Sequence, residues 1–386
     1  MLKGISGNVL VLGIVSFLTD VSSEMIYPLL PLFLTTVLGA GPAFLGLIEG
    51  VAESTAAFLK LASGIVSDRV RSRKGLVVAG YTISSLARPL VAAATAPAAV
   101  FAIRFADRVG KGIRTSPRDA LIADSTDPAI RGKAYGFHRA MDHAGALVGP
   151  LIATLLLAWF VKDLRTVFWI AAIPGLLAVV LIIWKVRETV RTRSGDGSFL
   201  RIVPRGELRQ YLLILFLFTL GNSSDAFLLL RAGELGVAPA RIPLLWAFFH
   251  LVKMGGSTPF GALSDRIGRR RVIVVGWGIY ATSYAGFALA ETEMACWLLF
   301  ALYGLFYAMT EGAEKALLAD IAPAQERGSA FGWYNFAVGA GALPASLIFG
   351  AVWEKVEREA AFGLGAGLAA LAAVLLLSFA RGPERH

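Results

Sequence analysis

Gly64 to Lys74 reads GIVSDRVRSRK, and Gly261 to Arg271 reads GALSDRIGRRR. Both runs leave an apolar stretch and become densely basic within about one helical turn. Gly64, Ser67, Asp68, Arg69 and Arg73 are answered by Gly261, Ser264, Asp265, Arg266 and Arg270 at a constant offset of 197 residues. A second echo follows: Ala120 to Asp124 (ALIAD) returns as Ala316 to Asp320 (ALLAD), and Arg131, Gly132 and Gly136 return as Arg327, Gly328 and Gly332, at an offset of 196. The chain is two copies of one unit in parallel order, the pattern expected of two like bundles related by an axis normal to a membrane.

Composition points to a bilayer. The 386 residues are 56% hydrophobic with a mean hydropathy of +0.66, and 17% are charged, against about 25% in soluble domains. A formal charge of +10 raises nucleic acid as a partner, but membrane proteins gather Lys and Arg in cytoplasmic loops, so the distribution decides. Cys296 is the single cysteine, which excludes an intrachain disulfide. The first apolar stretch carries Asp20 and Glu24 and lacks a small-residue cleavage site, and it reads as a retained helix rather than a signal peptide.

About twenty apolar residues cross a bilayer. Twelve stretches fit, near 8–37, 42–67, 75–95, 97–124, 134–160, 164–186, 209–233, 243–264, 272–290, 295–321, 328–353 and 358–380. Polar interruptions make the fourth, seventh and eighth weakest by hydropathy, and the repeat supports them. With the amino terminus inside, twenty-one Lys and Arg fall in inside connections, and five fall outside: Lys162, Arg165, Arg241, Lys355 and Arg358. Both termini are therefore expected in the cytoplasm. The longest polar stretch, Glu188 to Gln210, joins the halves. The expected organisation is an N-terminal six-helix bundle over 1–187, a cytoplasmic linker over 188–208 and a C-terminal six-helix bundle over 209–386.

Twelve spans in two repeated sixes, with G-x-x-x-D-R after spans two and eight, resemble the major facilitator superfamily over the whole chain. The resemblance implies an all-α membrane protein with twelve transmembrane helices in two pseudo-symmetric six-helix bundles. It also implies that the doubled loop latches the cytoplasmic side in the outward-facing state. The gating residues would be Gly64, Asp68, Arg69 and Arg73 with Gly261, Asp265, Arg266 and Arg270. A carboxylate facing a helix amino terminus is favoured by roughly 0.3–1 kcal/mol on physical grounds alone. In GFHRAMDHAGALVGP, Gly136, Gly145, Gly149 and Pro150 resemble the antiporter signature of the proton-coupled drug exporters, where small residues and Gly-Pro let the fifth helix bend and pack closely. The Gly-Gly that follows in that signature is replaced by Ala153 and Thr154.

Span four carries Arg104, Arg108, Lys111 and Arg118 at spacings of four, three and seven, one helical face of cations, with Asp107, Arg114 and Asp119 beside it. A charge at the bilayer centre costs about 2.5 kcal/mol or more, so these side chains face a cavity or partners. Arg108 with Lys111 and Gly112 also resembles the family's R-x-x-q-G signature, which implies that Arg108 governs protonation of an acidic partner. Asp20, Glu24 and Tyr27 share one face of span one, and Glu49, Glu53 and Lys60 share one face of span two. Asp20 and Arg108 come to similar depth and can meet. A cation that approaches and leaves an embedded carboxylate switches it between holding and releasing a proton. Permanent structural pairing is the competing reading for each carboxylate taken singly. Asp142 and His143, with Arg139 one turn away, add titratable groups.

In the second half, Ser223-Ser224-Asp225 answers Ser22-Ser23-Glu24, which makes Asp225 the counterpart of Glu24. Asn222, His250, Lys253, Tyr307 and Glu311 join Tyr27, Arg104, Lys111 and Asp225 as substrate-contact candidates. Glu311 and Lys315, four apart, are expected to pair. Trp246, Phe249, Tyr303, Trp333, Tyr334 and Phe336 either line a cavity or pack. With no G-x-x-x-x-G-K-[ST] loop, an ATP-driven pump is disfavoured. The function expected is a secondary active transporter of the inner membrane that exports a small molecule against protons by alternating access. It is expected to be a monomer and not an enzyme, with no cofactor, metal site or nucleic-acid partner. Its partners are the substrate, protons and lipid. An organic-anion or metal-chelate transporter working by uniport or exchange, or a transport-dead sensor, are the alternatives.

Overall fold

The structure is a computed structural model that describes residues 4–30, 33–40, 42–70, 72–161, 163–188, 203–238 and 241–378. Helices occupy all twelve expected spans, and no strand occurs among the described residues. Span one is Gly7–Glu24, continued by a 3-10 turn at Tyr27–Leu29 and a π turn at Phe33–Val37. Spans two to five are Pro42–Arg69, Arg73–Ala87 with a 3-10 end at Arg88–Ala93, Pro97–Asp124, and Arg131–Trp159. Span six is split into Leu164–Ile170 and Ala172–Lys185, and span seven into Gly206–Gly221 and Asp225–Glu234. Spans eight to twelve are Ile242–Ile267, Arg269–Leu289, Glu293–Ile321, Arg327–Lys355 and Arg358–Ser378.

Local chemistry explains the starts and breaks. Ser6, Ser72 and Asp163 each accept from a backbone N–H in the first turn of the helix they precede. Pro28 has no N–H, and the regular helix of span one ends just before it. Span seven breaks at Asn222-Ser223-Ser224, three residues whose side chains compete with the helix for backbone hydrogen bonds. Among the described residues, eight helices are long and apolar enough to cross a membrane by length and composition. The four spans outside that set are two, four, seven and eight, those loaded with charge or broken.

The helices form two compact units. The first comprises Met1–Ile130, Phe137–Ile202 and Ala322–Phe336, and the second Arg131–Gly136, Val203–Ile321 and Ala337–His386. In the first, spans two and three pack on span four, and spans one and three on span six. In the second, spans eight and nine pack on span ten, and spans seven and nine on span twelve. The pairing is the same with six added to each number, so the sequence repeat is a repeat of packing. The first unit has a largely aliphatic core around Val21, Leu30 and Ile48, with Phe33 edge-on to Phe168 within it. The second is built on rings: Phe218 stacks on Trp277 at 4.5 Å, Tyr280 on Tyr284 at 4.3 Å, and Phe249 on Tyr303 at 5.3 Å. Large apolar side chains point outward, with Trp159, Phe160, Trp184 and Leu289 among the most exposed, as a surface solvated by lipid requires.

Lys3, Arg71, Lys162, Arg191, Arg193, Arg201, Arg381 and Arg385, used in the charge count, and most of the linker lie outside the described residues. The side chains of Glu49 and Glu53 lie outside them as well.

Candidate functional site

The doubled loop is a pair of matching carboxylate clasps. In the first unit, Asp68 Oδ1 accepts from the Gly328 N–H at 2.9 Å and Oδ2 from the Ser329 N–H at 2.6 Å, at the start of span eleven. In the second unit, Asp265 accepts from the Gly132 and Lys133 N–H groups at 2.8 Å each, at the start of span five. Each aspartate thus satisfies two of the donors that a helix leaves open at its amino terminus. Arg73 bridges Asp68 and Asp124, and Asp124 also holds Arg327 at 2.7 Å. Arg269 bridges Asp265 at 3.3 Å and Asp320 at 2.9 Å, and Asp320 holds Arg131 at 2.7 Å.

The glycines of the clasp are there for backbone contact. A Cβ on Gly64 would overlap the Gly328 carbonyl oxygen and the Gly332 Cα, and one on Gly261 would overlap the Gly132 oxygen and crowd the Gly136 Cα. Gly136 itself has no room for a Cβ beside Ser257.

One correspondence read from the sequence is corrected. The arginine equivalent to Arg73 is Arg269, not Arg270, because the second loop is one residue shorter and turns through Gly268 at φ +99°. Arg69 and Arg266 are exposed at the loop surface. Asp124, Asp320, Arg131 and Arg327 complete the clasp and were missed as site residues. Their signal was present, since the ALIAD/ALLAD and Arg-Gly echoes that establish the repeat end on these four side chains.

Span four is buried among ion pairs. Arg88 Nε donates to Asp107 Oδ1 at 2.8 Å and Arg88 Nη1 to the Thr19 carbonyl at 2.9 Å. Arg104 lies 3.5 Å from Asp107 Oδ2 and over the Tyr27 ring at 5.0 Å. Arg118 pairs with Asp119 at 2.9 Å, and Arg114 donates to Ser84 Oγ at 2.6 Å beneath the Tyr81 ring. Asp142 is held by Ser16, by Arg139 at 3.0 Å and by His138 at 3.5 Å. The histidine beside Asp142 is therefore His138, which the sequence reading did not single out. His143 is buried one residue beyond Asp142.

Asp20 and Glu24 differ from every one of these acids. Both are half-buried, and among the described residues neither carboxylate accepts a hydrogen bond or forms an ion pair. Glu24 lies in the field of Lys111, Arg88, Arg108 and Arg104. Asp20 lies in that of Asp142 and Glu24 and of Arg88 and Lys111. Arg108 acts on Glu24, and Asp20 and Arg108 form no ion pair. The glycine row of span five lies directly against these acids: a Cβ on Gly145 would come within 2.8 Å of the Asp20 Cβ, and one on Gly149 within 2.8 Å of the Glu24 Cβ. Pro150 follows inside the same helix.

In the second unit, Asp225 accepts from the Tyr303 hydroxyl, which lies 3.3 Å from that of Tyr307. The Lys253 ammonium sits 3.8 Å from the Tyr307 ring centre, 4.8 Å from that of Phe249 and 3.7 Å from Glu311 Oε1. Glu311 thus meets Lys253. His250 packs edge-on against Trp246, and Asn222 ends the first half of span seven. Phe249 and Tyr303 are fully buried and pack, whereas Tyr307 and Trp246 are half-buried. No cluster of three or more His, Cys, Asp or Glu able to hold a metal occurs among the described residues.

The sequence model of the Major Facilitator Superfamily matches residues 12–230 and 211–386. An uncharacterized MFS-type transporter of Methanocaldococcus jannaschii is 37% identical over 97% of this chain and 95% of its own length. Multidrug resistance protein MdtH of Proteus mirabilis is 25% identical over 80% of this chain and 78% of its own. The crystal structure of the human organic anion transporter MFSD10 superposes with a TM-score of 0.81 at 18% identity, covering 96% of this chain and 99% of that one.

Proposed function

Because this chain belongs to the Major Facilitator Superfamily, and so is a multi-pass membrane transporter, we propose that it couples export of a small molecule to proton entry by alternating access. The observation that carries this reading is the isolation of Asp20 and Glu24. An embedded carboxylate is costly unless paired, and Asp68, Asp107, Asp119, Asp124 and Asp142 all are paired. Two acids left without a partner among the described residues, with cations in reach, are free to exchange a proton with a ligand. Arg108 and Lys111 supply the charge that favours release. Glu49, Glu53, Asp142 and His143 are candidates for the rest of the route. Relatedness to the MdtH multidrug resistance proteins supports export.

The gate is assigned to the two clasps, and substrate contact to Tyr27, Arg104, Lys111, Asn222, Asp225, His250, Lys253, Tyr307 and Glu311. The protein works in the inner membrane as a monomer of two bundles, 1–187 and 209–386, joined by a cytoplasmic linker, with both termini cytoplasmic and no cofactor.

The test is proton release from purified protein in unbuffered detergent across lipophilic cations, organic anions and metal chelates. Release by one ligand class that disappears in Asp20→Asn and Glu24→Gln is expected. Ligand binding with no proton release would overturn coupling, leaving uniport or exchange.

A further inference from the structure

We propose that Asp225 is a proton-binding site of the second unit, loaded through the hydroxyls of Tyr307 and Tyr303. The inference rests on the coupling reading above and moves Asp225 within it from substrate contact to proton carriage.

The run Asn222-Ser223-Ser224 breaks span seven and leaves Asp225 as the first residue of its second half, Asp225–Glu234. Among the described residues the Asp225 carboxylate has one hydrogen bond, from the Tyr303 hydroxyl, and no ion pair. Glu311 and Asp265 in the same unit each lie against a cation, Lys253 at 3.7 Å and Arg269 at 3.3 Å. An embedded carboxylate is costly to keep ionised without one. The ionisable groups facing Asp225 are Tyr303, Tyr307 and Glu311 of span ten, Lys253 of span eight, and Tyr280 and Tyr284 of span nine. Lys253, the Tyr303 hydroxyl and the amino end of its own half-helix favour the carboxylate, whereas Glu311 and burial favour the acid. Opposed in this way, they keep both protonation states within reach.

The hydroxyls make a path. Tyr303 is fully buried, and its oxygen lies 3.3 Å from that of Tyr307. Because the Tyr303 O–H donates to Asp225, the Tyr307 O–H is the donor to Tyr303. Tyr307 and Asp225 are half-buried, so the chain is open at both ends and sealed in the middle. One shift loads the acid: Asp225 Oδ1 takes the Tyr303 proton, Tyr303 takes that of Tyr307, and Tyr307 takes one from a hydronium ion. Three O–H bonds break, three form, and both tyrosines end neutral. Packing alone does not call for these hydroxyls. Phenylalanine serves beside them at Phe249, stacked on Tyr303 at 5.3 Å, and at Phe306, 4.6 Å from the Tyr307 ring. A buried hydroxyl gives up its hydration and is kept where it has a bond to make.

The test is infrared absorption of the protonated carboxyl C=O in the purified full-length protein in neutral detergent, titrated with pH and followed after a pH jump. One titrating carboxyl is expected to vanish in Asp225→Asn and to persist at a moved frequency in Asp225→Glu, which decides alone if Asp225→Asn does not fold. Tyr303→Phe removes a donor to the carboxylate and should move the titration to higher pH. Tyr307→Phe should slow proton uptake about tenfold or more while the midpoint stays in place. An absorption that neither Asp225 variant alters would show that Asp225 stays ionised and overturn the site. Uptake as fast in Tyr307→Phe as in the parent would overturn its loading through the two hydroxyls. Loss of the absorption in Asp225→Asn, in a parent that shows no ligand-driven proton release, would sink the coupling reading and leave this site standing. Ligand-driven release that needs Asp20 and Glu24, beside an absorption untouched by the Asp225 variants, would do the reverse.

Discussion

A methyl group on Gly149 would come within 2.8 Å of the Cβ of Glu24 and 2.9 Å of the Val21 carbonyl oxygen. The helix that carries the antiporter-like glycines is in this way packed directly on the helix that carries Asp20 and Glu24. Any movement of span five is felt by Asp20 and Glu24, which ties a packing motif to the two acids proposed above to exchange protons.

Gly149→Ala is expected to force spans one and five apart. Alanine is intrinsically favoured over glycine in a helix by about 1 kcal/mol, so a fall in melting temperature would report the clash. Gly278→Ala on span nine, where nothing lies within 4 Å of the new Cβ, should be neutral or stabilising. Thermal unfolding in detergent checks both, and equal effects at the two positions would refute the close-packing argument.

Asp68→Asn and Asp265→Asn should behave alike, because the two clasps share their geometry. Each loses a charge and one of two acceptors for helix-end N–H groups, about 1.5–3 kcal/mol for a charge-assisted bond. Labelling of engineered cysteines on a background with Cys296 replaced measures the opening of each clasp. Unaltered labelling in both variants would remove the clasps from the gate.

The shorter second loop makes a sharper prediction. Arg269→Ala should reproduce Asp265→Asn, whereas Arg266→Ala, at an exposed position, should stay within about 0.5 kcal/mol of the parent. Melting temperatures of the three variants decide it, and a large effect from Arg266→Ala would restore the offset of 197 throughout the loop.

Asp107→Asn leaves Arg88 and Arg104 buried beside a neutral amide. A loss of about 3–5 kcal/mol is expected, as for other buried pairs broken on one side, and should appear as poor yield and early unfolding. Removing the cation together with the acid, in Arg88→Met with Asp107→Leu, should recover much of the loss. A double variant no better than Asp107→Asn would show that the pair does not act as a unit.

Periodicity, charge asymmetry and the internal echo made the twelve spans and their repeat legible, because the bilayer imposes length and polarity on each segment separately. The clasp aspartates and glycines were legible too, since a repeated motif is local. The two offsets, 197 before the loop and 196 after it, even announced a one-residue deletion. Its position was not legible: whether Arg269 or Arg270 reaches Asp265 depends on how Gly268 turns the chain, and a turn's geometry is not a pattern of residue types.

The pairing of span four was hidden for a different reason. Spacing put Arg104, Arg108, Lys111 and Arg118 on one face, but which acid each arginine meets is decided by the helices packed against that face. Arg88 comes from span three, Tyr81 and Ser84 from the same span, and Ser16 and Thr19 from span one. Sequence order and hydropathy therefore determined that this chain lies in a membrane as two copies of a six-span unit, with acids and cations held inside it. Tertiary packing alone decided that Asp107 meets two arginines while Asp20 and Glu24 have no partner among the described residues, because ion pairing inside a bundle is a contest among side chains from several helices, settled by distances of a few ångströms that no single helix contains.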